Sequence, residues 1–159
     1  MSLKEDIRQA FSALSQKNNF PHLRFNKNDQ CVLQYNDDFN IEVVLYNEGI
    51  QLRAYLLDVS SCVHSLSVIK TLLAWNNSEC SLQGSFLGVC DVNGYITFTL
   101  FVHMESISHS VLENIIDHFI NESVSMKDKI SSLMKRDGET NNIIDGDDLL
   151  RHMNMNMKF

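Results

Sequence analysis

Residues 65–104 constrain what this chain can fold into more than any other stretch, because they predict an apolar helix followed by a hairpin. Leu66, Val68, Ile69, Leu72, Leu73 and Trp75 supply the helix, and Ser65 is placed to cap its start. Two strands, 85–92 and 95–104, flank Asn93-Gly94. Asn-Gly is the strongest short hairpin signal, since both central residues of a type I′ turn need positive φ. The helix is apolar on two stripes, Leu66, Ile69 and Leu73 on one and Val68, Leu72 and Trp75 on the other. One stripe can cover the sheet. The second needs another cover, which in a small domain is often a second copy of the chain.

On either side of this unit the periodicity alternates between helix and strand. Leu3, Ile7, Ala10, Phe11 and Leu14 make one stripe of an amphipathic helix over 2–17, opened by Ser2 and Glu5 at capping-box spacing and ended by Asn18-Asn19-Phe20-Pro21. Three strands are predicted next. The first spans 31–35, and Asn36-Asp37-Asp38 turns the chain into the second. In the second, Phe39, Ile41, Val43 and Leu45 share one face. The third, after Asn47-Glu48-Gly49, puts Ile50, Leu52, Ala54 and Leu56 inward, with Gln51, Arg53, Tyr55 and Leu57 on a mixed outer face that reads as a contact surface. Ser110 and Glu113, again at capping-box spacing, open a long helix to about Lys135 whose stripe is Leu112, Ile115, Ile116, Phe119, Met126, Ile130 and Leu133. Lys127, Lys129, Lys135 and Arg136 suit its negative end. The order α-β-β-β-α-β-β-α predicts an α+β fold, an antiparallel sheet flanked by helices over 1–136. An acidic, Met-rich tail at 137–159 is expected to be flexible, with one helical turn around Leu149 to Met153.

Composition bounds the function. The 159 residues suffice for one core, and 13 basic against 20 acidic side chains give a net charge of −7, the wrong sign for a nucleic-acid partner. The N-terminus carries charges where a signal peptide would be apolar, and no run approaches a membrane span, so a cytoplasmic protein without membrane insertion is expected. Cys31, Cys62, Cys80 and Cys90 form no C-x-x-C pair and read as reduced, buried thiols.

No phosphate-binding, dinucleotide, nucleophile-elbow or zincin motif is present. The six histidines are scattered, and the acidic run at Asp145-Gly146-Asp147-Asp148 fails as a calcium loop because His152 stands where a carboxylate belongs. A Cys90/His103 nucleophile–base pair across the hairpin is the one enzymatic reading, and a core thiol beside a strand-end histidine explains the same residues. Neither catalytic residues nor a metal or cofactor site are expected. The residues point to binding.

The order of elements, together with Leu72-Leu73-Ala74-Trp75-Asn76, Gly84, Leu87-Gly88-Val89, Asp91, Asn93-Gly94 and the apolar strand after them, resembles the class I chaperones of type III secretion, the Tir-chaperone (CesT-like) family. The resemblance covers about 2–135 and implies a bacterial cytoplasmic homodimer that binds the N-terminal segment of one or more secreted effectors in extended form. It also implies that the client is kept soluble and presented to the export ATPase, with no turnover by the chaperone. On that basis the effector-binding residues are expected at Leu3, Ile7, Phe11, Leu14, Leu33, Tyr35, Val43 and Leu45, with plain core as the alternative for each. The dimer interface is expected at Val68, Leu72, Trp75, Leu87, Val89 and Phe101. A dimeric adaptor of similar fold that binds a folded partner is the competing reading.

Overall fold

The computed structural model describes residues 2–17, 24–59, 66–78, 84–103 and 108–155, with side chains left aside for Ser15, Lys17, His109 and 137–155. The elements follow as α1 (Leu3–Lys17), β1 (Gln30–Tyr35), β2 (Phe39–Tyr46), β3 (Gly49–Asp58), α2 (Leu66–Ser78), β4 (Ser85–Val89), β5 (Tyr95–His103) and α3 (His109–Met155). This is the expected α+β order. The five strands form one antiparallel sheet in the order β1-β2-β3-β5-β4.

Strict alternation decides which face is buried. Ile41, Val43, Ile50, Leu52, Ala54, Ile96, Phe98 and Leu100 all lie inside, beneath Ile7, Phe11 and Leu14 of α1 and Leu112, Phe119, Met126 and Ile130 of α3. Phe98 and Phe119 stack with centroids 5.6 Å apart and planes 7° from parallel, joining the sheet to α3. Ser123 fits the same α3 stripe because it is small, and its hydroxyl donates back to the Phe119 carbonyl at 2.7 Å.

The Ser2–Glu5 capping box forms as expected: the Ser2 N–H donates to Glu5 at 2.9 Å and holds that carboxyl below its usual pKa. In α3 the cap is Ser108 rather than Ser110, since its hydroxyl and carbonyl take the N–H groups of Val111 and Leu112. The helix also runs to Met155, well past the predicted end near Lys135. Gly138 and Gly146, with no proline after either, lower helix propensity without breaking the ladder, so Lys127 to Arg136 sit mid-helix and not at a C-terminus. Ser65, Cys62, Cys80, Met104 and the 18–21 stop signal lie outside the described residues.

Two turns exchange the roles assigned to them. Asn36 and Asp37 both have positive φ, 45° and 62°, and the Asp38 N–H closes on the Tyr35 carbonyl, so the pair of left-handed residues sits between β1 and β2. At Asn93-Gly94 only the glycine has positive φ. The loop there holds four residues, because the Gly94 N–H reaches back to Cys90 and the Cys90 N–H to Tyr95. In β3 a register shift between Tyr55 and Leu57 sets Leu57 opposite the core residue Ile96, which removes it from the outer face predicted for it.

α1 is tied to the entry of β1 by Asp29, which accepts from Lys4 at 2.7 Å and from Arg8. The hydrogen bond from Lys4 lowers the Asp29 pKa below its ordinary 3.8. A carboxyl lowered on folding contributes stability above its unfolded pKa and loses it as pH falls through the folded value. Acid unfolding below pH 3.8 should therefore be shallower in Asp29→Asn than in the parent, with no difference at pH 7 in the slope of stability against pH. Denaturation followed by circular dichroism across that range checks it.

Candidate functional site

The helices cover one face of the sheet and leave the other uncovered by any described residue. On that outer face Val32, Tyr46 and Phe86 are exposed, and Glu42, Arg53, Tyr55 and Phe101 are partly buried. Thr97 and Thr99 are nevertheless buried, because Phe86, Arg53 and Tyr55 stand beside them across the strands. The centre of the face is an ordered polar network. Glu42 accepts from Arg53 at 3.3 Å and from the Tyr55 hydroxyl at 3.0 Å, and burial raises the Tyr55 phenol so that it remains a donor.

The two edges of the sheet differ. At β4 the Leu87 N–H donates to Asn76 Oδ1 at 2.6 Å, and Asn76 Nδ2 donates to the Leu87 carbonyl at 3.1 Å. An α2 side chain thus imitates a neighbouring strand at the middle of that edge. At β1 the Leu45 N–H bonds to the Asp29 carbonyl, which by alternation directs Cys31, Leu33 and Tyr35 toward β2 and turns Gln30, Val32 and Gln34 outward. Gln30 is closed in the same manner as Leu87: its N–H reaches Asn26 Oδ1 and its carbonyl accepts the Asn26 N–H. No described residue bonds the outward backbone of Val32 or Gln34, so a short window of edge is open there. At its far end Lys127 fixes the β1–β2 turn, donating to the Asp38 carbonyl at 3.0 Å above the Phe39 ring. Beside the window lies an open cavity of about 420 Å³, bounded by Val32, Gln34, Asp37, Tyr55 and Tyr95.

Replacing Asn76 with alanine leaves both Leu87 backbone groups without their partner, at a cost of about 1–2 kcal/mol. Urea unfolding should show a lower midpoint at unchanged slope.

Of the residues expected to bind an effector, Ile7, Phe11, Leu14, Val43 and Leu45 are buried in the core, while Leu3, Leu33 and Tyr35 are partly buried at its margin. Of those expected at a dimer interface, Val68, Leu72 and Leu87 are buried within the chain, Trp75 and Phe101 are partly buried, and Val89 is exposed. Phe86, exposed on the outer face opposite Thr99, was not among them. Strand alternation through 85–89 would have found it, but Gly88, lacking a side chain, hides that alternation. Cys90 and His103 are not a pair. Cys90 bonds Tyr95 at the start of β5 and His103 ends that strand eight residues, or about 26 Å, further on, which removes the enzymatic reading built on them. Burial pushes the Cys31 thiol up to about 12. Among the described residues no three His, Cys, Asp or Glu side chains gather as a metal ion requires, and no helix is long and apolar enough to cross a membrane.

The profile of the Tir chaperone protein (CesT) family matches residues 9–127. No curated protein matches the sequence. Among solved structures, the fold is similar to a chain of the ExsC–ExsE complex (TM-score 0.68, 11% identity, covering 77% of this chain and 92% of that one). It is also similar to a chain of the HopA1–SchA chaperone–effector complex (TM-score 0.63, 16% identity, 79% and 95% covered). A third is the Yersinia pestis type III secretion chaperone SycH in complex with a fragment of YscM2 (TM-score 0.53, 8% identity, 74% and 97% covered). At these identities the likeness establishes a shared fold.

Proposed function

Because the chain belongs to the Tir chaperone (CesT) family, we propose that it is a cytoplasmic type III secretion chaperone that binds the N-terminal segment of one or more secreted effectors in extended form. The open window of β1 at Val32 and Gln34 carries this reading. An extended chain can add backbone hydrogen bonds there, while its alternate side chains meet Leu33, Tyr35 and Leu3 on one face and the cavity on the other. Closure of Gln30 by Asn26 confines addition on β1 to that window, and Asn76 occupies the middle of the β4 edge.

The protein acts as a homodimer in this proposal. Phe86, Val89, Leu73 and Trp75 supply apolar surface that the chain itself leaves at least partly uncovered. Val68, Leu72 and Leu87 are buried on the same elements, α2 and β4. Holding the client soluble and presenting it to the export ATPase complete the role. The stretch from 137 onward, with acidic residues at 137, 139, 145, 147 and 148, is proposed to meet a basic component. Limited proteolysis of a co-expressed client tests the function. Protection confined to a short N-terminal segment is the expected result, and protection only of a folded domain would favour an adaptor instead.

A further inference from the structure

Resting on that reading, we propose that the cavity beside β1 is a subsite for one basic side chain of the bound segment. Among the described residues the cavity walls include Asp37 and Asp38 and no lysine, arginine or histidine. Asp38 is already paired, with Lys127 Nζ 3.4 Å from its Oδ1. Asp37 receives only the neutral Gln34 amide, at 2.9 Å, and no described cation pairs with it. The same walls include Tyr55 and Tyr95, edge to face with centroids 6.4 Å apart, and the Tyr55 ring is fixed by its bond to Glu42. A carboxylate sharing a cavity with an aromatic pair is the surrounding that a guanidinium or ammonium group fills, through an ion pair and a ring face. Strand geometry brings such a group within reach. Val32 and Gln34 point their side chains to the outer face, so partner residues opposite them project to that same face, where the cavity lies. An acidic side chain in that position would meet Asp37 and be rejected.

The test uses a blocked hexapeptide of alternating threonine and valine with one central arginine, and its twin carrying neutral citrulline, titrated into the full-length protein to roughly 5 mM and read by NMR. The arginine peptide should bind about fivefold more tightly and shift the Tyr55 and Tyr95 ring signals. Asp37→Asn, which suits a residue of positive φ, should bring the ratio to about one without changing the melting temperature. Equal affinities in the parent protein, or no ring shifts with the arginine peptide, overturn the subsite. The chaperone reading fails separately, if no client N-terminal segment is captured at all.

Discussion

Truncating Phe119 to alanine should cost about 4 kcal/mol, the largest single effect expected in this protein. The ring is fully buried and stacks on Phe98, equally buried, at the point where α3 crosses the centre of the sheet. Its neighbours on the helix, Leu112, Met126 and Ile130, are each held by further core contacts and cannot collapse into the gap. The penalty therefore combines lost transfer energy with an unfilled cavity. Against a usual total of about 5–15 kcal/mol, that loss removes a large share of stability. At about 3 °C per kcal/mol for a chain of this length, the melting temperature should fall by roughly 12 °C. Phe101→Ala, at a partly exposed ring on the outer face, should cost far less. A Phe119→Ala loss near that of Phe101→Ala would show that α3 does not pack here.

Gly49→Ala should cost about 3 kcal/mol for a different reason. Gly49 opens β3 directly after the two-residue turn from Tyr46 and lies opposite His103, where the strands approach closely. A Cβ added there would strike the Val102 backbone carbonyl, which can yield only if β5 shifts. Its φ is not in the left-handed region, so the penalty is one of space and not of conformation. Gly88 is the control. The nearest atom to a Cβ there is Thr97 Oγ1 at 3.6 Å, an ordinary contact, so Gly88→Ala should change stability by less than about 0.5 kcal/mol. Thermal melts of the two variants side by side separate the close approach from a general dislike of replacing glycine.

The element order and the buried faces of β2 and β3 were legible in the residues because period-two alternation with one buried face specifies register strongly. The bulge at Leu56 was not, since an extra residue leaves the apolar pattern intact while shifting Leu57 inward. Asn93-Gly94 marked a turn correctly but not its length, because one left-handed glycine also closes a four-residue loop. The candidate site was least legible. Ile7, Phe11 and Val43 carry the same apolar signature whether they line a pocket or fill a core, and only tertiary packing separates the two. Asn76 stood in the family-like stretch, yet its role as a substitute strand depends on α2 lying against β4, as Asn26 depends on the chain folding back before β1. No local pattern encodes such closures.

Light scattering on the purified protein, alone and co-expressed with a candidate client's N-terminal segment, tests the central claim most directly. A mass near twice 18.2 kDa that rises by one segment per dimer is the predicted result. A stable monomer of 18.2 kDa that retains no segment would contradict both the dimer and the chaperone function.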